Sequence, residues 1–374
     1  MTTNLSPILK WAGGKEKVLK YILPNIPDCI KRYFEPFVGG GAVYFSINAQ
    51  NSYINDKSYE LITLYQLIKD SNRDFFEYLN KIHSNWLLLQ GIVEKNKESL
   101  IASYKAYSYD KYTQTQLDDF IIGFTIKHKE ELKGILSNSF NLKTDNFIKE
   151  IKKNLSSKTR RMKKIEDEKG KLSDEDILDN IECAFKSAFY MHFRYLYNNI
   201  DRLAINKPFA TAIFYFIREY CYASMFRYNK SGGFNVPYGG ISYNRKDFSK
   251  KIDYLMSKEL KEYLGSTEIF NLDFQDFLNK HHPDKDDFIF LDPPYDTDFS
   301  SYAGNSFTQM DQKRLANYLY TTKANFMIVI KNTDFIHSLY NNKGFNIKTF
   351  DKQYLVSFQN RNNKNAKHLM ITNY

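Results

Sequence analysis

The chain of 374 residues carries 53 Lys and Arg against 43 Asp and Glu, a net charge of +10 and a pI near 9.1. That length fits two domains, and the basic excess favours a polyanionic partner, although a basic proteome gives the same balance. No apolar run approaches a membrane span and the start, MTTNLSPILK, lacks a signal peptide's apolar core. Three distant cysteines (Cys29, Cys183, Cys221) form neither a disulfide framework nor a zinc spacing, which points to a reducing cytoplasm.

In chain order, the first informative stretch is LKWAGGKEKVL at 9–19. Gly13-Gly14 makes a turn beside an indole and a lysine. Trp11 can pack on a ligand and Lys15 can meet a carboxylate; the plain alternative is a loop with a surface lysine. Next comes FEPFVGGGAVYF at 34–45. Tyr33-Phe34 reads as the end of a strand and Ala42 to Phe45 as the opening of a helix. Glycines 39, 40 and 41 allow a tight turn and close approach of a ligand. The turn matches neither the dinucleotide fingerprint nor a P-loop. The strand-like Tyr53-Ile54-Asn55 then delivers Asp56. An acid there suits both hydroxyls of a ribose, and the competing role is a cap for the helix starting at Ser58.

From 66 to 265 the chain reads as mainly helical and heavily charged. Between Lys152 and Lys164 stand seven basic residues and no acid, followed by Glu166-Asp167-Glu168 and Asp174-Glu175-Asp176. This pattern reads as a solvated helix pair turning at Gly170, ahead of a DNA contact, with Ser173 and Asp176 capping the second helix. Strand-like runs return at 268–272, 288–291, 325–330, 345–350, 354–358 and 369–372, with an amphipathic helix at 309–320. The expected fold class is α/β. A sheet domain made of 1–65 and 266–374 is interrupted by the 66–265 insertion.

The apolar run 288–291 ends in Asp292-Pro293-Pro294-Tyr295. The prolines hold this segment extended and rigid. The Asp292 carboxylate and the Pro293 carbonyl are then two fixed acceptors, suited to the two hydrogens of an –NH₂ group. An amine held that way turns its lone pair out of conjugation with its ring. Tyr295 offers a flat face for a planar base, worth ~1–3 kcal/mol. A proline-rich turn closing a strand is the structural alternative.

Taken together, these stretches resemble the DNA adenine methyltransferases of the Dam type. The resemblance rests on Lys10-Trp11-Ala12-Gly13-Gly14-Lys15, on Phe34 through Gly41, on Asn55-Asp56, on Asp292-Pro293-Pro294-Tyr295, on FRYNKSGGFNVPYG at 226–239 and on the ending HLMITNY. It implies a Rossmann-like, S-adenosylmethionine-dependent methyltransferase sheet with an inserted, mainly helical DNA-recognition domain. It also implies that Trp11, Lys15, Phe37, Gly39, Gly41, Asp56, Asp273, Phe274 and Asp292 surround the cofactor. Asp273 would accept from its adenine amino group and Phe274 pack on the ring, against a plain helix cap for Asp273. Asp292 through Tyr295 would be catalytic, acting on an adenine flipped out of the duplex.

In FRYNKSGGFNVPYGG, Arg227 and Lys230 suit phosphates or guanine edges, Asn229 and Asn235 suit adenine, Pro237 and Tyr238 suit a wedge against bases, and Gly232-Gly233 suits a hairpin turn. Arg361, Lys364 and Lys367 form a further polar stretch expected to touch the DNA backbone. The implied partner is double-stranded DNA, with no membrane; the protein is expected to act as a cytoplasmic monomer, with any cognate restriction endonuclease acting separately. FNVPYG leans toward GATC as target. The rivals are a cytosine-N4 enzyme, a glutamine methyltransferase of release factors and an inactive DNA-binding relative.

Overall fold

The computed structural model describes residues 5–11, 13–140, 143–295, 307–353 and 365–374. The strand expected at 354–358, together with Ala12, Arg361 and Lys364, lies outside the described residues. The chain divides into two compact units, Met1–Ser71 with Leu255–Tyr374, and Asn72–Tyr254. The insertion is therefore narrower than 66–265. The helices Tyr59–Lys69 and Lys258–Gly265 stay with the sheet because specific bonds tie them there. Lys69 Nζ donates to the Thr267 carbonyl at 2.6 Å, and the Tyr263 hydroxyl donates to the Tyr44 carbonyl at 2.6 Å.

The first unit holds a seven-stranded sheet. Its strands are β1 (Arg32–Glu35), β2 (Asn51–Asn55), β3 (Thr267–Phe270), β4 (Phe288–Leu291), β5 (Asn325–Lys331), β6 (Asn346–Gln353) and β7 (Asn365–Thr372). They lie in the order β3-β2-β1-β4-β5-β7-β6. The first five are parallel, and β7 runs antiparallel to both β5 and β6. Strand β4 is buried along its whole length, which is why it reads as an unbroken apolar run rather than an alternation. Its Ile289 and Leu291 join Phe34, Phe277, Leu315, Phe326, Ile328 and Leu369 in one core. Chain order reverses between β1 and β4, and the carboxyl ends of strands at such a switch form the ligand crevice of an open α/β sheet.

The helix expected from Ala42 is reduced to one 3₁₀ turn, Tyr44–Ser46, after which Ile47 is extended. The Tyr263 hydroxyl lies against the Tyr44 and Ile47 carbonyls, the acceptors that a continuing helix would need.

The second unit is helical. Its core centres on Trp86, whose ring lies 4.7 to 5.8 Å from those of Phe189, Phe216, Tyr220 and Tyr238. The charged stretch forms an antiparallel pair of helices, Thr144–Lys169 and Asp174–Tyr197. Gly170 makes the turn at φ +95°, a backbone state that suits glycine. Ser173 caps the second helix by accepting from the Asp176 amide at 3.1 Å. Among the described residues no helix is long and apolar enough to cross a membrane.

Candidate active site

Four consecutive strand ends in the order β3-β2-β1-β4 deliver the expected residues to one crevice: Asp273 and Phe274 after β3, Asp56 after β2, the glycine turn after β1, and Asp292 after β4. The turn is forced by close approach. A Cβ on Gly40 would stand 2.2 Å from the Leu9 carbonyl oxygen, and one on Gly39 would stand 2.9 Å from the Trp11 ring. Gly39 and Gly41 adopt φ of +52° and +83°. Trp11 thus covers the turn from the side of the N-terminal segment. Asn55, buried, staples the turn to the end of β3: its amide donates to the Pro36 and Leu272 carbonyls at 3.0 and 3.1 Å and accepts from the Leu272 amide at 2.8 Å.

Asp56 is not the cap of the following helix. Its carboxylate accepts from the Gly39 amide at 3.0 Å and from the Ser58 amide at 2.9 Å, while Ser58 itself caps the Tyr59–Lys69 helix. Burial pushes the Asp56 carboxyl up to about 6, against the lowering pull of these two amides. Glu35, at the end of β1, is more enclosed. It accepts from the Tyr33 hydroxyl at 2.6 Å, and burial raises its carboxyl well above the usual range.

Lys15 is buried and not a surface lysine. Its ammonium donates to Asp292 Oδ1 and, at 3.2 Å, to the Gly13 carbonyl, and it lies 5.7 Å from the centre of the Tyr295 ring. Among the described residues Asp292 Oδ2 takes no hydrogen bond. Pro293 is buried, and Pro294 is fixed from outside: fully buried Gln312 donates to its carbonyl at 2.8 Å. The Tyr295 hydroxyl and Nε2 of His368, itself fully buried on β7, are 3.1 Å apart. Gln312 stands in no motif; His368 opens the ending HLMITNY, to which the sequence assigned no role in the site.

Beside this lies an aromatic cluster. Phe37 is 5.6 Å from both Phe274 and Phe307, ring to ring. Arg314 stands over Phe274 at 4.9 Å and bonds Asp273 at 2.6 Å. Asp273 also accepts from the Gln275 amide at 3.0 Å, capping the Phe274–His281 helix. Its carboxylate is thus already engaged by an arginine and a helix end.

In the second unit, 226–239 forms a short hairpin with antiparallel bridges at Cys221–Tyr238 and Tyr228–Phe234 and a turn at Gly232. Asn229 serves the turn: its Oδ1 accepts from the Ser231 and Gly233 amides at 3.1 and 2.8 Å. Arg227, exposed, donates to Asn235 Oδ1 at 2.8 Å, so these two present themselves as a pair. Lys230 and Pro237 are exposed. Tyr238 is not a surface wedge. It is buried against Trp86 and its hydroxyl donates to Asn244 Oδ1 at 3.0 Å. The Asp174–Tyr197 helix and the residue after it hold the hairpin: Arg194 and Tyr190 donate to the Val236 carbonyl at 3.0 and 2.9 Å, and Asn198 donates to the Phe234 carbonyl at 2.9 Å.

Comparison with known proteins agrees with this geometry. The chain is 26% identical over 376 residues to the Type II methyltransferase M.CviBI of Paramecium bursaria Chlorella virus NC1A, covering 99% of this chain and all of that protein. It is 26% identical to the Type II methyltransferase M.MjaIII of Methanocaldococcus jannaschii over 99% of this chain and all of that protein. It is 23% identical to the DNA adenine methylase of Haemophilus influenzae over 91% of this chain and 84% of that one. Residues 11–122 and 120–356 match the family described as D12 class N6 adenine-specific DNA methyltransferase. With matching segments that span the strand-end crevice and the hairpin alike, the chain belongs to the D12 class of N6 adenine-specific DNA methyltransferases.

Proposed function

We propose that this protein methylates the amino group of adenine within one short duplex motif, using S-adenosylmethionine held at the ends of β1 to β3 and a base held at the end of β4. The reading rests above all on Asp292: a carboxylate fixed by two prolines, with Oδ1 on Lys15 and Oδ2 without a partner among the described residues. The crevice suits the cofactor. Asp56 offers a half-buried carboxylate to a ribose diol, Phe37 and Phe274 offer aromatic faces to its adenine, and Trp11 and the backbone at Gly39 and Gly41 border the amino-acid portion. Asp273 serves by its backbone as much as by its carboxylate, since Arg314 already holds the latter. When bound, S-adenosylmethionine supplies a methyl group activated on a sulfonium.

Asp292 Oδ2 and the Pro293 carbonyl hold the two hydrogens of the target amino group and aim its lone pair. Tyr295 stacks on the flipped base, offsetting part of the few kcal/mol that flipping costs. The transfer is a single displacement, so no enzyme nucleophile is required. Arg227, Asn229, Lys230, Asn235 and Pro237 carry target recognition, with Arg227 and Asn235 reading as one unit. The protein acts as a monomer, and any partner restriction endonuclease acts separately.

Sequencing that detects modified bases, applied to plasmid treated with the purified protein and S-adenosylmethionine, tests this. Methylated adenine in one short motif is expected. Methylated cytosine, or no mark from protein that binds the cofactor, overturns it.

A further inference from the structure

The Thr144–Lys169 helix buries Phe147, Ile151, Leu155, Thr159 and Met162, a stripe at the spacing of one helical face. The opposite face is basic. Lys149, Lys153, Arg160 and Lys164 are all exposed, and at about 100° per residue they fall within roughly 60° of one another. They span 15 residue steps, about 22 Å of helix. No acid stands between 151 and 165.

These charges are also poorly neutralised. Among the described residues Arg160 donates only to Ser156 of its own helix, to the carbonyl and hydroxyl at 3.3 and 2.6 Å, and reaches Asp118 only through that hydroxyl, which donates to its carboxylate at 2.6 Å. Exposed Lys153 has half-buried Glu150 at 3.7 Å, a long contact of little energy. Among the described residues no carboxylate pairs with Lys149, Arg160 or Lys164. Lys163, off this line, is by contrast consumed by Asp110 and the Tyr107 carbonyl. A helix face that only needs water gains from alternating signs at i,i+4. Here the Lys149/Lys153 and Arg160/Lys164 pairs repel, at a cost of ~0.2–0.5 kcal/mol each. The nearby acids are placed elsewhere: Glu166 is buried, accepting from the Leu172 amide at 3.0 Å, and Asp174, Glu175 and Asp176 fill the first turn of the next helix.

The stripe starts beside the recognition hairpin. Asn146 meets His192 at 3.3 Å, two residues before Arg194, which holds the hairpin's Val236 carbonyl. Glu150, at this end, lies close enough to Arg194 to act on its charge.

We propose that this face is a second, sequence-independent contact for duplex DNA, binding phosphates alongside the stretch read by the hairpin. It replaces the solvated face expected from the sequence, and it rests on the chain's being a DNA enzyme. Cations spaced by 4, 7 and 4 residues rise about 6, 10 and 6 Å along the helix, within reach of phosphates on a strand.

The test measures binding of full-length protein to two duplexes, one with the methylated motif and one without, from about 50 to 300 mM salt. It compares wild type with K149Q/K153Q/R160Q/K164Q and with the two half-sets K149Q/K153Q and R160Q/K164Q. The slope of log affinity on log salt should fall by roughly 3 to 4 in the quadruple variant and by about half that in each half-set. Both duplexes should lose affinity by the same factor, at least tenfold for the quadruple variant, while the motif methylated stays the same. An unchanged slope overturns the proposal, as does a loss confined to the duplex carrying the motif. The half-sets decide the matter if the quadruple variant melts early. Methylation by the wild type in the same buffers checks the DNA-enzyme reading separately.

Discussion

Asp56 is the residue whose chemistry is most sensitive to its setting. To accept from both ribose hydroxyls it must be ionised, and burial has raised it to about 6. Ribose hydroxyls favour the charged form, so cofactor affinity should rise with pH through about 6 and level off above it. Titration calorimetry with S-adenosylmethionine between pH 5 and 8 checks this, and Asp56→Asn should be weak and flat across that range. The sign for stability is the opposite. A carboxyl raised above its unfolded value binds its proton more tightly when folded, so stability falls as pH rises from about 4 to about 6.

Tyr295 and His368 make a second residue-level claim. A buried histidine 3.1 Å from the phenol fixes the tilt of the ring proposed to receive the base. Removing either partner, as Tyr295→Phe or His368→Leu, should slow single-turnover methylation about 2- to 10-fold, the scale of one neutral hydrogen bond. The double variant should be no slower than the worse single one. Fully multiplicative losses would show that the two act apart, and unchanged cofactor affinity in all three separates positioning from collapse of the site.

At the scale of elements, the glycine turn works by exclusion of side chains. Gly40→Ala sets a methyl against the Leu9 carbonyl and should cost about 1–3 kcal/mol. For a unit of this size that lowers Tm by about 2–4 °C per kcal/mol. Gly91, inside the Arg73–Lys95 helix with nothing within 4 Å of an added Cβ, is the contrast: Gly91→Ala should stabilise by ~0.5–1 kcal/mol. Thermal unfolding of both variants tests whether the turn's glycines are required by contact.

The same elements show what was legible in the sequence. The Asp-Pro-Pro-Tyr turn, the glycine turn and Asp56 were readable because their chemistry sits within a few adjacent residues at strand ends. Gln312 and Arg314 were not, because each reaches the site from a helix and carries no local signature; His368 stood in the ending HLMITNY, but nothing in that stretch pointed to Tyr295. Tyr238 looked like a wedge beside exposed Pro237, yet a signal was present. Phe234, Val236 and Tyr238 are buried while Asn235 and Pro237 face outward, the period of two of an extended chain. The expected helix at Ala42 failed because Tyr263, more than 200 residues on, meets its carbonyls.

For the whole molecule, two units divide the labour. The sheet unit carries the residues proposed for catalysis and cofactor binding; the helical unit carries the hairpin and the basic helix face. The excess of cations gives affinity for any duplex, screened by salt, while a few hairpin side chains must supply the choice of sequence. Catalysis in this account rests on one carboxylate. Single-turnover methylation by Asp292→Ala, with S-adenosylmethionine affinity and thermal unfolding measured on the same preparation, tests it most directly. We predict folded protein whose cofactor affinity is within a few-fold of wild type and whose transfer rate has fallen by about 10²–10⁴-fold, the loss of a positioned acceptor. Transfer at the wild-type rate by that variant would contradict the assignment of Asp292 as the group that holds the target amine.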